Sequence, residues 1–323
     1  MPIRPFRADD ASALAALSRS CARGESDFVL NPLWESERDL FAEFERHGVE
    51  PEEHLLVAEA GDGRVEGCVG FVRRPQASAA GLVCPIVARE ARGHGVGGEL
   101  LRAALAHGAD RLDLKLVSAA IGVRNRAGYA LLTALGFRPT RQHFLMRLDA
   151  KPSGSSGLPS GSSGLPSGSS SPRAASSKRP AAARVPVEGL LLEAAQPADA
   201  DAILALYRAC GFEARSDQAM HGALVDGSHA HAVARQGGRV VAFAEIETHW
   251  PARPWVAFVG VEAALRDRGV GSALVGWALA RLFAGEARSA LLLLSPGNRT
   301  ALRAYEKVGF RRHRLVDVLE KGL

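Results

Sequence analysis

The sequence predicts two mixed α/β domains in one chain, separated by a low-complexity linker, and three observations carry that prediction. The hexapeptide RGHGVG at 92–97 returns as RDRGVG at 266–271. Flanking segments return in the same order: RADDASALAAL (7–17) as QPADADAILAL (196–206), and NRAGYALLTALGF (125–137) as NRTALRAYEKVGF (298–310). Between the copies lies PSGSSGLPSGSSGLPSGSSS (152–171), a repeat of Pro, Ser, Gly and Leu. One Arg-x-x-Gly-x-Gly match means little in a chain with 34 glycines. Three ordered matches mean a duplicated domain. The first copy is longer by about 15 residues between its first helix and its Gly loop.

The linker, residues 151–186, cannot bury enough apolar area to offset its ordering entropy and is expected to be disordered. It divides the chain into domains 1–150 and 187–323. In the first half, IRPFR reads as a strand, 10–20 as a helix, and 54–60, 65–73 and 82–88 as strands. A helix from the Gly loop to about 109, a strand near 112–122 and a helix over 125–135 follow. The second half repeats this order. GLLLEA (189–194) is a strand and 200–210 an amphipathic helix. Residues 231–250 form two strands about the turn QGGR (236–239), and WVAFVGV (255–261) is a buried strand. After the loop, Val270, Ala273, Leu274, Trp277 and Ala278 share one helical face. ALLLL (290–294) is a central strand, Asn298 caps a helix that Gly309 closes, and 311–319 is the last strand. The extra residues of the first half, 21–48, carry Phe28, Trp34, Phe41 and Phe44. These line an apolar pocket or form the core face of a helix, with core as the default.

Charge argues against nucleic acid. The formal net charge is +5, and the linker, with Lys151, Arg173, Lys178, Arg179 and Arg184 and no acidic residue, supplies all of it. The rest of the chain sums to zero, so charge counting gives no support for a basic nucleic-acid face on either domain. Four scattered cysteines without a CxxC pair fit buried thiols in a reduced, cytoplasmic protein. The N-terminus has no apolar leader, and no run approaches the roughly 18 apolar residues of a membrane span. No metal-ligand spacing is present. His229 and His231 lack a third ligand and read as surface.

A strand, then R-x-x-G-x-G, then a helix gathers side-chain-free N–H groups at the positive end of a helix, a site suited to phosphate or pyrophosphate. No GxxxxGK[ST] occurs, so a Walker loop is excluded. Gly93, Gly95 and Gly98 match the dinucleotide pattern GxGxxG, with Asp113 downstream. The second copy breaks that pattern with Leu274, and Asp113 falls at the wrong end of its strand.

Strand, R-x-x-G-x-G, helix, apolar strand and N-x-x-A-x-x-x-Y-x-x-x-G-F together resemble the GNAT superfamily of acyl-CoA-dependent N-acyltransferases, over nearly all of both halves. The resemblance implies, for each domain, a mixed, mostly antiparallel central sheet with a parallel splayed pair and helices on both faces. It implies acetyl-CoA as co-substrate and no metal. The pyrophosphate would lie on Arg92, Gly93, His94, Gly95, Val96, Gly97 and Gly98, and on Arg266, Asp267, Arg268, Gly269, Val270, Gly271 and Ser272. Pantetheine would lie between the splayed strands, with a backbone N–H near Val259 to Val261, or near Pro85 to Val87, polarising the thioester. Pro85 has no N–H to offer.

Attack of an amine on a thioester needs a free amine, an oxyanion donor and an acid for the thiolate. The acid implied is Tyr305, in a motif completed by Asn298 and Ala301. In the first half these positions are Gly128 and Leu132, with Tyr129 out of register by three residues. One complete and one degenerate site is a layout similar to the mycothiol synthases. Glu245, Glu247 and His249 alternate on one strand and share a face. If that face lines the acceptor cleft, Glu245 or Glu247 is the base, and otherwise the three form a polar strand surface. The expected function is acetyl transfer to a primary amine of a small molecule or protein, mainly in the C-terminal domain. Two alternatives stand: both domains catalytic, or a non-catalytic coenzyme sensor. The duplication also makes an internal pseudo-dimer an expected arrangement. The acceptor itself cannot be read from the sequence.

Overall fold

The computed structural model describes residues 2–73, 77–150, 187–213 and 215–323. The linker expected to be disordered, 151–186, lies outside the described residues. Along the first half run β1 (Ile3–Pro5), α1 (Ala11–Ser20), α2 (Glu37–His47), α3 (Pro51–His54), β2 (Leu55–Glu59), β3 (Val65–Val72), β4 (Ala79–Val87), α4 (Val96–Asp110), β5 (Leu116–Gly122), α5 (Arg126–Ala134) and β6 (Arg138–Asp149). The second half adds β7 (Leu190–Ala194), α6 (Ala200–Ala209), α7 (Asp217–Val225), β8 (His229–Gln236), β9 (Arg239–Glu247), β10 (Trp255–Val261), α8 (Val270–Phe283), β11 (Ser289–Leu294), α9 (Arg299–Val308) and β12 (Arg311–Gly322). The elements expected from periodicity are all present. Three short helices, α2, α3 and α7, and the long strand β6 are additional.

By contact, the chain forms two compact units. One holds Met1–Arg147, Glu247–Pro251 and Leu291–Leu323, and the other holds Leu148–Ile246 and Ala252–Ala290. The compact units therefore do not coincide with the duplicated halves: α9 and β12, from the second half, belong to the first unit.

The sheet of the first unit has the order β1-β2-β3-β4-β5-β12-β6. It is antiparallel except for β4 and β5, which run parallel. β12 enters antiparallel to β5, from Val316↔Gly122 to Gly322↔Leu116, and antiparallel to β6 on its other side. The insertion gives β5 a continuous ladder and β6 a ladder with register shifts at Arg312/Arg314 and Val318/Leu319, so neither presents an unpaired edge to the other. The core collects Leu14, Trp34, Leu40, Phe44, Leu55, Phe71, Leu82 and Leu100. Trp34 and Phe44 are fully buried, so the aromatic residues of the 21–48 segment are core, as the default reading held; Phe41 alone is exposed. Ser36 caps α2 by accepting from Asp39 N, and Gly48 closes it in the left-handed region at φ +66°.

In the second unit β7 pairs antiparallel with β8 from Leu190↔Gln236 to Ala194↔Ala232. The order continues to β9 and β10. Gly237 and Gly238, at φ +57° and +81°, make the tight turn between β8 and β9 that two left-handed residues require. Ile203, Leu204, Tyr207, Met220, Val233 and Phe243 form the core. No helix of the described residues is long and apolar enough to cross a membrane. All four cysteines are free. Burial pushes the Cys84 thiol up to about 12 and raises Cys68 further.

Candidate active site

The parallel pairing of β4 with β5 runs only from Ala79↔Leu116 to Gly81↔Ser118. β4 continues to Val87 and β5 to Gly122 without pairing to each other, so the strands separate and a cleft opens. A cavity of about 360 Å³ fills that opening. Its walls are Cys84–Val87 of β4, Ile121 of β5, Ala91–Gly93 and Gly95–Gly98 of the Gly loop, and Asn125, Gly128, Leu131 and Leu132 at α5.

The Gly loop enters α4 through two left-handed residues, Gly93 at φ +83° and Gly95 at φ +86°. A side chain at either would meet nothing within 4 Å, so the glycines leave an open cradle. Gly98 N already donates to Gly95 O at 2.9 Å, and the N–H groups of Val96 and Gly97 ahead of it point out of the helix end, where they and the helix dipole favour an anion. The donor set therefore fits a pyrophosphate. Arg92 turns away from that cradle: its Nε donates to Val87 O at 3.0 Å, and its guanidinium pairs with Asp27 at 3.3 Å. Its visible role is to pin the end of β4 to the loop.

Strand geometry also orients Val87. Ala88 N donates to Glu66 O of the neighbouring β3 segment. Successive N–H groups on a strand point to opposite sides, so the Val87 N–H points away from β3, toward the cleft. The second unit repeats the arrangement. Glu262 N donates to Val241 O, which turns the Val261 N–H away from β9. Arg266 Nε donates to Val261 O at 3.0 Å, and Gly269, at φ +80°, caps α8. Val259 and Val261 pack against the Cα of Gly271, where an added Cβ would lie 3.3 Å from Val261.

Asn125 and Asn298 cap α5 and α9 in the same way, accepting from Gly128 N at 2.8 Å and Ala301 N at 3.1 Å. Tyr305 is half-buried on α9, with its ring edge against Phe310 at 5.7 Å. Burial pushes its phenol up to about 12. It therefore holds its proton through neutral pH. Its counterpart Leu132 is buried in the wall of the first cleft, and Tyr129 packs partly buried against the first unit's core.

Neither Glu245 nor Glu247 forms part of a solvated strand surface. Glu245 is fully buried and accepts hydrogen bonds from Tyr207 Oη and Arg215 Nη2. His231 Nε2 stands 3.3 Å and His229 Nε2 3.6 Å from its carboxylate. Burial alone would raise this carboxyl; the His231 imidazole, the charge of Arg215 and the Tyr207 hydroxyl outweigh it and hold the group below the usual carboxylate range. This corrects the surface reading of the two histidines: the His231 side chain is 2% exposed, packed on an ionised glutamate. Glu247, in the first unit, pairs with Arg46 at 2.6 Å, and that guanidinium lies over the Trp250 ring at 5.3 Å. The His249 ring lies tilted beside that of Trp250, centroids 6.2 Å apart.

Tyr207 and Arg215 were not singled out from the sequence, and His231 was read there only as half of a surface pair. Their signal was faint: a tyrosine on the apolar face of a helix, and one imidazole alternating with small residues on a strand. Asp113, the residue wanted by the dinucleotide pattern, sits in the loop ahead of β5 at φ +48° and pairs with Lys115. Among the described residues no group of three or more His, Cys, Asp or Glu is placed to hold a metal ion.

Comparison with known proteins agrees with this geometry. An Acetyltransferase (GNAT) domain model matches residues 1–138, and the Acetyltransferase (GNAT) family model matches 199–310. Two curated relatives, both mycothiol acetyltransferases of Corynebacterium glutamicum strains, are 38% and 36% identical over 74 residues. That stretch is 23% of this chain and 25% of theirs, so the match spans about a quarter of the curated relatives' length. A GCN5-related N-acetyltransferase from Sphaerobacter thermophilus superposes with a TM-score of 0.74 at 19% identity, covering 99% of this chain and 95% of that one. A tandem GNAT protein from the clavulanic acid biosynthesis pathway superposes with a TM-score of 0.65 at 16% identity, covering 99% and 98%. At those identities the likeness is one of fold. With a domain model on each half, a cleft at a parted parallel pair and both Gly loops at helix starts, the chain belongs to the GNAT acetyltransferase family, as a tandem member.

Proposed function

We propose that this chain is an N-acetyltransferase that moves an acetyl group from acetyl-CoA to a primary amine of a small molecule or protein, with catalysis mainly in its C-terminal half. The observation that carries the reading is the Gly loop leading into a helix beside a strand whose last N–H, at Val87 or Val261, turns away from the adjoining sheet strand. Acetyl-CoA supplies an acyl group on a good leaving thiolate. The loops 92–98 and 266–272 hold its pyrophosphate, and the Val87 and Val261 N–H groups face its thioester oxygen. The acyl group proposed is acetyl because the curated relatives are named acetyltransferases.

In the second half, the amine nitrogen bonds to the carbonyl carbon and the carbon–sulfur bond breaks. Glu245, kept ionised by its neighbours, is the proposed base, and the amine proton reaches it through water or the His231 imidazole. Glu247 is its alternative. Tyr305 gives its phenolic proton to the departing sulfur, which a phenol still protonated at neutral pH is able to do. Tyr305→Phe should lower kcat by about a hundredfold or more while leaving acetyl-CoA affinity within about twofold. An unchanged kcat would remove Tyr305 from the mechanism.

A second reading concerns the first half. Its cleft and open glycine cradle support coenzyme binding there too, while Leu132 at the tyrosine position leaves it without the acid. The first half is then a coenzyme-binding domain without turnover of its own.

A further inference from the structure

Where β4 and β5 part, the first cleft is not open at both ends. The segment Phe28–Asn31, from the stretch that the second half lacks, runs between the two strands. Leu30 N donates to Ala120 O at 2.9 Å and Gly122 N donates to Phe28 O at 2.9 Å, both on β5. Val29 forms a bridge to Ile121. On the other side Cys84 N, on β4, donates to Asn31 O at 2.9 Å. One short piece of chain thus satisfies backbone groups of both separated strands, including a β4 N–H that the parting would otherwise leave facing the gap.

Three further contacts fix this segment. The Nδ2 of Asn125 donates to Phe28 O at 3.2 Å while its Oδ1 caps α5. Gly122 lets the Phe28 side chain lie on β5, since a Cβ at 122 would come 3.2 Å from the Phe28 Cβ. The Arg314 guanidinium covers the Phe28 ring at 5.7 Å. Phe28 and Val29 are buried, and Val29 is part of the cleft wall. The same contacts account for a departure from the motif. A Cβ at Gly128, where the second half has Ala301, would stand 2.8 Å from Asn125 Nδ2. The glycine leaves the Asn125 amide room to reach the segment.

We propose that Phe28–Asn31 is a fixed intramolecular strap that closes the acceptor end of the first cleft, so that this cleft takes an acyl-CoA thioester and excludes an amine. The strap makes the first half a binding site in which the thioester is shielded from attack. The inference rests on the coenzyme reading of that cleft, and it places the block to turnover in the strap as well as in Leu132.

Hydrogen exchange on the intact protein, with and without acetyl-CoA, tests this without any variant. The strap predicts slow exchange at Leu30, Cys84 and Gly122 in both states. Gly122→Val should then raise exchange over 28–31 at least tenfold. In a Tyr305→Phe background, the same substitution should raise the release of coenzyme A from acetyl-CoA by at least tenfold, as water reaches the first-half thioester. Should Gly122→Val fail to fold, Gly128→Ala, which crowds Asn125, should raise exchange over 28–31 severalfold. Fast exchange at 28–31 in the unmodified protein, or protection lost on adding acetyl-CoA, would overturn the strap and make the segment a movable lid. Absence of acetyl-CoA binding to the first half would instead defeat the coenzyme reading, and calorimetric stoichiometry separates the two failures.

Discussion

The first Gly loop passes through the left-handed region at Gly93 and Gly95, and the second does so at Asp267, φ +59°, and Gly269, φ +80°. Asp267 stands where the first copy has a glycine, in a backbone state that Asp tolerates better than most side chains. Around the loops the arginines repeat a bond to the carbonyl of the preceding valine, but their outer partners differ. Arg92 meets Asp27, and Arg266 approaches Ala209 O at 3.5 Å. After duplication the backbone path stayed fixed while the side chains drifted wherever another residue satisfied the same constraint.

A second pair of regions shows the drift more sharply. At the first sheet edge Arg4 bonds both oxygens of Asp10, at 2.8 and 2.9 Å, and also Glu59. At the corresponding edge of the second unit Arg235 bonds both oxygens of Asp199 at 2.7 Å, and also Glu193. Asp10 and Asp199 each accept the backbone N–H that opens their helix, from Arg7 and Gln196 at 2.8 Å. The aspartate is common to both, whereas the arginine and glutamate have exchanged strands. One half carries Arg on β1 and Glu on β2; the other carries Glu on β7 and Arg on β8. The shared requirement is a cation on the capping carboxylate with a second carboxylate balancing it, and either strand meets it.

Breaking that exchange should give the largest stability effect. Arg4→Glu gathers three carboxylates in a mostly buried place and should cost about 3 kcal/mol in urea unfolding. Arg4→Glu with Glu59→Arg, which copies the second unit's arrangement, should recover at least half of that loss. No recovery would show the two edges are not equivalent. A smaller effect is the pH dependence. The Arg4 hydrogen bond, opposed by burial and aided by the Arg7 N–H, holds the Asp10 carboxyl below its usual range. Its stabilisation is therefore present above the unfolded carboxylate pKa and is lost as pH falls through the lower folded value. Arg4→Met should flatten the loss of stability between about pH 5 and pH 2, and an unchanged acid limb would assign it to other groups. Smallest are the loop residues. Gly93→Ala should cost about 1 kcal/mol, and Asp267→Gly should gain about 0.5 kcal/mol, because only the non-glycine side chain resists φ > 0.

Much of this was legible in the sequence, for identifiable reasons. The apolar strand 255–261, the helix face from Val270 and the Asn298–Gly309 helix all carry local periodicity or caps, and each forms where those signals put it, although of the strand expected to be buried only Val256 and Gly260 are so. The strand exchange was not legible. Residues 311–319 read as a strand, but no local property says that it will lie between β5 and β6 of the other half. The strap was missed for a related reason: 28–31 has no period, and it exists because two distant strands leave backbone groups to satisfy. Glu245 was picked out by alternation alone, which did not show the tyrosine, arginine and histidine that converge on it from α6, the segment after it and β8.

The central claim is that both Gly loops hold coenzyme while only the second half turns it over. Calorimetric titration of acetyl-CoA into the intact chain and into Gly269→Trp tests it, with amine acetylation followed on the same samples. The account predicts two molecules bound by the intact chain, one by the variant, and acetylation lost in the variant. A variant that binds none, or that still acetylates an amine, would contradict it.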